Sequence, residues 1–452
     1  MTAPKLTGQA LKAVQHRGSH LQIIAAAGSG KTEVVSQRVA ALLADGVPAR
    51  SIVAFTFTER ASAELRERIS QRVEERLGRV ALDQLGGLFV GTIHAYCFRL
   101  LQQYVPRYET FDVLDENQLN AFIAREATQL GVKALDPDGK NRLFRSIEAF
   151  LKGLDVIENE LLDLEQVPEP LGGIVTHYLE LLERYRLLSY GQQIVRAVRE
   201  LDRPEVQHSV HADLRHLIVD EYQDVNPAQE RLIEQLTGPE VQLCVVGDDD
   251  QAIYQWRGSD VSNIVEFTER YPGVAKFTIK KNRRSRPDIV TAANRFARSI
   301  PDRLEKQMQP FRSPAPGSPS VTSWAADYEQ DEAGYIANTI LDLNDDGVPF
   351  RDIAVLVRSR AAYRRLLDEF ATFDIPVQPG GRTGLFDQPE ARVLGRTLVW
   401  LTGLDWREGY GWGAPVKDAD LVAEYTDVFG VAGAQKRRLK NALHQWRAVA
   451  HD

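Results

Sequence analysis

Eight residues near the start, Ala25-Ala26-Ala27-Gly28-Ser29-Gly30-Lys31-Thr32, restrict this chain more than any other feature. They follow a short apolar run beginning at Leu21 and precede a helix-like stretch, so a strand–turn–helix unit is predicted there. This is the phosphate-loop pattern, with Ala25 where the commonest form has glycine. Its glycines let backbone N–H groups wrap phosphate oxygens, and the helix N-terminus that follows adds positive potential. Lys31 supplies a point charge to the β- and γ-phosphates, and the Thr32 hydroxyl can ligate Mg²⁺. A plain glycine turn before a helix has no need of the Gly-Lys-Thr ending. ATP and Mg²⁺ are therefore implied, with residues Ala25 to Thr32 as the binding loop.

The rest of the pattern fits an α/β fold. Ser51–Thr58 is alternating, β-branched and aromatic, and a charged helix starts at Glu59. His216–Val219 and Gln242–Val246 are further apolar runs that stop at acidic residues. Short buried runs alternating with helices predict a parallel sheet, whose ligands sit at the carboxyl ends of the strands. Those ends carry Gly28-Ser29-Gly30, Asp220-Glu221 and Gly247-Asp248.

From Cys97 to Val210 the strand signal fades. Asp115 is placed to cap a helix through Leu119, Phe122 and Ile123. A second helix carries Phe144, Ile147, Phe150 and Leu151, and a longer stretch runs from Ile174 to Arg199. A helical insertion into the sheet domain is favoured over a separate helical domain, because acid-ended strands resume after it. Arg312–Ser320 reads as a linker. Beyond it a helix near Glu332–Asn344 and a strand at Asp352–Val357 predict a second α/β unit, and the tail from Arg392 reads as mainly helical.

At 452 residues the chain has room for about three domains. With 43% hydrophobic and 26% charged residues, it is neither disordered nor fibrous. Its net charge of −8 excludes a globally basic nucleic-acid coat and leaves a local basic track open. Cys97 and Cys244, the only cysteines, are far apart; they make no metal or disulfide pattern and fit a reducing cytoplasm. No apolar run approaches the ~18 residues needed to span a bilayer, and Met1 to Arg17 lacks the apolar core of a signal peptide. No membrane partner is expected.

Asp220 can hold Mg²⁺, and Glu221 can orient and deprotonate an attacking water; with the phosphate loop they suggest hydrolysis rather than mere binding. Gly247-Asp248-Asp249-Asp250-Gln251 ends in a neutral donor and acceptor able to sense a γ-phosphate or a water, although alone this cluster is equally a solvated turn.

These residues are joined by Phe55-Thr56-Phe57-Thr58-Glu59-Arg60-Ala61, Gly91-Thr92-Ile93-His94-Ala95, Val219–Asp224, Val246–Gly258 and Asn282-Arg283-Arg284-Ser285. In that order they resemble the UvrD/Rep-type superfamily 1 DNA helicases, over roughly Leu6 to Glu390. Asp352–Ser359, Gly380-Gly381 and Leu385-Phe386-Asp387 resemble that family's second motor domain.

The resemblance implies a RecA-like sheet domain (1–104 and 211–280) with a helical insertion (105–210), a partial second RecA-like domain (281–390) and the start of a helical accessory subdomain (391–452). It implies catalytic roles for Lys31, Asp220, Glu221, Gln251 and Arg284, with Gln251 and Arg284 on the γ-phosphate and Arg284 as an arginine finger. It implies a single-stranded DNA track lined by Phe57, His94, Tyr254, Trp256 and Arg257, whose aromatic faces can stack any base. Lys280, Lys281, Arg283, Arg284, Arg286, Arg295 and Arg298 form a basic concentration, divided between ATP and phosphate backbone or simply a solvated helix face.

The chain also departs from the family. The adenine-reading glutamine should fall at Ala10, with Gln9 one residue early. Arg283 stands where the family has a tyrosine stacked on adenine, and its guanidinium plane can stack instead. No segment resembles the two C-terminal helicase motifs. The expected function is an ATP-driven single-stranded DNA translocase or helicase, tracking 3′→5′. The alternative is an ATP- and DNA-binding module that needs a protein partner to supply missing motor elements.

Overall fold

The computed structural model describes residues 4–136, 139, 143–301, 303–314, 321–358, 360–378, 389–403, 405–406 and 414–451. Ser359, Gly380-Gly381, Leu385-Phe386-Asp387 and residues 315–320 of the linker lie outside that set. Two compact units are present, Met1–Thr322 and Ser323–Asp452.

The first unit is built on six parallel strands: β1 (Leu21–Ala25), β2 (Ile52–Thr56), β3 (Phe89–Thr92), β4 (His216–Val219), β5 (Gln242–Gly247) and β6 (Ala275–Ile279). Their order across the sheet is β3-β2-β4-β5-β1-β6. Register is direct, with Ile23 opposite Val246, Ile218 opposite Cys244, and Ala54 opposite Ile218. Every residue of β1, β2 and β4 is buried, as a sheet covered on both faces requires.

Alternation then sorts the side chains. Leu21, Ile23, Ala25, Ile52, Ala54, Ile218, Cys244 and Val246 face one core. Ile24, Val53, Phe55, Leu217, Val219, Leu243 and Val245 face the other. The first core is covered by α1 (Gly8–Gln15), α2 (Lys31–Ala44) and α3 (Glu59–Leu77). The second is covered by α4 (Ile93–Tyr104) and by later helices. A fully buried Val, Leu or Ile contributes roughly 1.5–3 kcal/mol, so this double burial is ample to hold polar loops at the sheet's edge.

Between β3 and β4 the chain is almost entirely helical. Asp115 caps α5 (Glu116–Leu130) with a reciprocal capping box to Gln118, as the sequence predicts. This helix packs with α6 (Leu143–Asn159) and α7 (Leu171–Tyr185) around Phe122, Phe150 and Tyr178, a core of their own. The single stretch expected from Ile174 to Arg199 is instead two helices. Arg186 ends α7 in the left-handed region at φ 55°, Leu187–Leu188 pairs in parallel with Asp112–Val113, and Ser189 caps α8 (Tyr190–Leu201) by accepting the Gln192 N–H. Together with α9 (Pro204–Asp213) and α10 (Pro227–Leu236), α8 packs on the sheet core. The helical residues therefore divide between two cores.

After β6 the chain runs through α11 (Pro287–Ala297) and back along its own start, pairing Gln309–Pro310 with Lys281–Asn282.

The second unit contains α12 (Glu329–Asp345) and α13 (Arg360–Thr372), which bury Ala333, Ala337, Leu366 and Phe370. It also contains α14 (Pro389–Thr402), α15 (Asp418–Phe429) and α16 (Ala434–His451), which gather around Trp400, Leu421 and Leu443. Among the described residues the tail from Arg392 is mainly helical, as expected, with one short antiparallel pair between Asp405–Trp406 and Ala414–Pro415. The strand expected at Asp352–Val357 does not form. A single 3₁₀ turn covers Phe350–Asp352, residues 353–357 pair with no strand among the described residues, and Leu356 is 96% exposed. An alternating apolar run becomes a strand only where a neighbour offers its backbone groups.

Candidate active site

The phosphate loop leaves β1 and enters α2. Gly28 (φ 66°) and Gly30 (φ 92°) take left-handed backbone that a side chain would strain. Gly28 also has no room for one, because a Cβ there would lie 2.9 Å from both the Arg284 Cβ and the Asn282 Oδ1. Ser29 is 6% exposed and its hydroxyl has no hydrogen-bond partner in the structure, a buried donor suited to a phosphate oxygen.

Opposite the loop, β4 ends and Asp220 and Glu221 begin. Lys31 Nζ donates to Glu221 Oε2 at 2.5 Å, so the loop lysine and the second carboxylate are in direct contact. Glu221 sits at φ 50° and ψ 42°, left-handed backbone that is uncommon outside glycine. Such strain persists only where surrounding structure imposes it, and it gathers at functional sites. Asp220 is buried, and one of its carboxylate oxygens accepts the Glu221 N–H. Burial first, and then the charge of Glu221, push Asp220 up to about 6 against the pull of Lys31. Asp224 is likewise raised to about 6, chiefly by burial. Excess negative charge at the end of β4, facing the loop lysine that Thr32 follows in the chain, suits a divalent cation. Among the described residues no cluster of three or more His, Cys, Asp or Glu could hold a metal ion.

A residue that sequence reading did not single out connects this pair to the next strand. Buried Gln223 donates through Nε2 to Glu221 Oε2 (3.0 Å) and Asp224 Oδ2 (3.2 Å), and its Oε1 accepts the Asp248 N–H (2.9 Å). A Cβ on Gly247 would lie 2.5 Å from that same Oε1, which gives the glycine its reason. Gln251 Nε2 then donates to Asp248 Oδ2 at 2.6 Å. Lys31, Glu221, Gln223, Asp248 and Gln251 thus form one continuous polar chain along the carboxyl edge of the sheet.

The Asn282–Ser285 segment is bonded to the phosphate loop itself. Asn282 Nδ2 donates to the Ala27 carbonyl (2.9 Å), the Arg283 N–H donates to the Gly28 carbonyl (2.9 Å), and Asn282 Oδ1 accepts the N–H groups of Arg284 and Ser285. The structure therefore sets Arg284 beside Gly28. Arg283 lies over the Phe311 ring, 4.8 Å from its centroid, with Lys281 at 5.2 Å. Gln9 is exposed on α1, and Ala10 packs against the core.

The aromatic candidates all come after the carboxyl ends of strands, but of three different strands. Phe57 follows β2 and packs partly on the core. His94, in the first turn of α4, meets Tyr190 edge-to-face at 5.6 Å, a ring missed in the sequence because it lies in the helical region. Burial lowers His94 to about 4, so it is neutral at pH 7. Tyr254 and Trp256 follow β5, and Trp256 is 73% exposed. Arg257 lies in the turn Gln255–Arg257, but its side chain falls outside the described set.

A parallel sheet with a phosphate loop, two facing carboxylates and an adjoining arginine defines a P-loop nucleoside-triphosphate-binding protein. The family model for the UvrD/REP helicase N-terminal domain matches residues 6–272, and that for the UvrD-like helicase C-terminal domain matches 277–395. The chain belongs to the UvrD/REP helicase family. It is similar to the ATP-dependent DNA helicase UvrD1 of Mycobacterium leprae, 33% identical over 431 residues, covering 88% of this chain and 52% of that protein. It is similar also to UvrD1 of Mycobacterium tuberculosis (31% over 422 residues, 88% and 52%) and to the ATP-dependent DNA helicase PcrA of Bacillus subtilis (31% over 400 residues, 85% and 51%). The chain spans about half the length of the curated relatives it matches.

Proposed function

We propose that this chain is an ATP-driven motor on single-stranded DNA, tracking 3′→5′ and acting as a helicase in DNA repair within a reducing cytoplasm. The direct contact of Lys31 with Glu221, beside the buried Asp220, carries the reading. Similarity to relatives named as ATP-dependent DNA helicases supports it.

In this reading the loop from Ala25 to Thr32 cradles the phosphates of ATP, and Lys31 draws charge from the β- and γ-phosphates. Thr32 and Asp220 hold Mg²⁺, which when bound neutralises charge developing on the phosphates. Glu221, fixed by Lys31 and Gln223, orients a water and takes its proton. Gln251 and Arg284 face the γ-phosphate from two further segments of the same edge. Arg283, stacked on Phe311, offers a guanidinium plane to the base. Phe57, His94, Tyr254, Trp256 and Arg257 grip DNA without reading sequence.

Steady-state ATPase of this 452-residue chain, with and without single-stranded DNA, tests the proposal. Stimulation by DNA is expected, and Lys31→Ala should abolish it. Loss of a general base costs about 10²–10⁴-fold, the range expected for Glu221→Gln. A well-folded chain whose ATPase ignores DNA overturns the motor reading. Duplexes tailed on the 3′ or the 5′ side test the direction.

A further inference from the structure

The acidic turn Asp248–Asp250 is held by residues far along the chain. Lys306 is 6% exposed, and its ammonium lies 3.1 Å from Asp248 Oδ1, 2.5 Å from Asp249 Oδ1 and 3.1 Å from Asp250 Oδ2. Arg303 forks onto Asp250, with both contacts at 2.7 Å, and also donates to the Lys306 carbonyl. The Leu304 N–H donates to Asp249 Oδ2 at 2.7 Å. Three carboxylates on consecutive residues would repel one another in a buried turn, and two cations and a backbone donor offset most of that repulsion.

The arrangement reaches the candidate nucleotide site in one step. Asp248 Oδ1 lies 3.1 Å from the Lys306 ammonium in an ion pair without a hydrogen bond, and its Oδ2 accepts the Gln251 amide. Its backbone N–H meets Gln223, which in turn holds Glu221. The side chain that orients Gln251 is thus itself oriented by a buried lysine that touches none of the phosphate-binding residues in these contacts.

We propose that Lys306, braced by Arg303, is a positioning residue for ATP hydrolysis, fixing the Asp248 carboxylate so that Gln251 presents its amide to the γ-phosphate. This rests on the reading of Gln251 as a γ-phosphate contact. The same lock sits just before the Tyr254–Trp256 segment, so a turn held by Lys306 fixes the root of the DNA-facing loop as well as the sensor. The bland alternative is a lysine that merely stabilises a surface turn. It predicts a lower melting temperature and an unchanged turnover per folded molecule.

The test compares Gln251→Ala, Lys306→Met and their combination in the full chain, measuring DNA-stimulated ATPase alongside nucleotide affinity by fluorescent ADP. Because ADP has no γ-phosphate, its affinity separates sensing from binding. Lys306→Met should lower kcat by about 10–100-fold while ADP affinity changes less than about threefold, and the double variant should be no worse than Gln251→Ala alone. Removing one buried charge endangers folding, so Lys306→Met with Asp249→Asn, which removes one of each sign, gives the same reading in a balanced site. Arg303→Met, which frees only Asp250, should give a smaller loss of the same kind. Full turnover in a folded Lys306→Met or Lys306→Met/Asp249→Asn chain overturns the proposal, as do strictly additive losses. If Gln251→Ala itself turns over normally, the γ-phosphate role of Gln251 fails instead.

Discussion

Asn282 is pressed against Gly28: its Oδ1 lies 2.9 Å from where a Gly28 Cβ would stand, and its Nδ2 holds the neighbouring Ala27 carbonyl. The segment bearing Arg284 is therefore attached to the phosphate loop by a glycine contact and an amide bridge. Gly28→Ala must push that segment away as well as strain the backbone at φ 66°. Asn282→Ala keeps the glycine but unpairs the Ala27 carbonyl and the Arg284 and Ser285 N–H groups, about 1–3 kcal/mol for each that stays dry. Both variants should lose turnover. Gly30→Ala, where the nearest atom is Glu33 Cβ at 3.9 Å, meets backbone strain alone and should lose less. Parallel kcat and thermal-melt measurements on the three variants check the ranking.

Trp256 is the most exposed aromatic of the candidate DNA track, so its ring adds little to the core. Trp256→Ala should weaken single-stranded DNA binding by ~1–3 kcal/mol, with Tyr254→Ala in the same range. Stacking releases no counterions, so the salt dependence of binding should keep its slope. Fluorescence anisotropy with labelled oligonucleotides at several salt concentrations reads both quantities. A flattened slope would show that the loss came through phosphate contacts instead.

Much of the sheet and the nucleotide group could be read in advance because each strand signals its own end. An apolar run stopping at Gly28, at Asp220 or at Gly247 declares both burial and a ligand edge. Capping at Asp115 was equally local. What could not be read was pairing across distance. Gln223 looks like any polar residue until Gly247 and Asp248 arrive beside it, and Lys306 meets Asp249 across 57 residues. The strand expected at Asp352–Val357 failed for the same reason, since its partner would have to come from elsewhere. Likewise, nothing local shows that Glu221 occupies left-handed backbone.

Glu158 on α6 supplies a pH test outside the nucleotide site. It is 6% exposed, accepts from Gln192 Nε2 at 2.7 Å, and is faced by Asp155, Tyr178 and Ser189. Burial pushes its carboxyl up to about 7. The folded chain thus keeps a proton that the unfolded chain releases near the ordinary carboxylate value. Stability should therefore fall as pH rises from about 4.5 to 7 and then level off, by at most about 3 kcal/mol from this residue. Glu158→Gln keeps an acceptor for Gln192 and removes the ionisation. Urea unfolding at pH 5 and pH 8 should show a smaller decline in the variant than in the parent, and an equal decline would mean that Glu158 is not the group responsible.

Cys97 and Cys244 lie on opposite faces of the sheet layer, one in each core, and both are buried and unpaired. Burial pushes each thiol up, so at pH 8 neither offers a thiolate to a reagent. A disulfide-exchange reagent should label neither in the native chain and both in denaturant. On slow labelling, Cys244 should respond to nucleotide more than Cys97. It sits on β5, paired with β1 through Leu21 and three residues before Gly247, so ATP bound at the loop must suppress the local opening that exposes it. Cys97→Ala and Cys244→Ala chains assign the two rates. Equal protection of both thiols would mean that exposure requires opening of the whole unit, whereas protection confined to Cys97 would place the nucleotide away from β1.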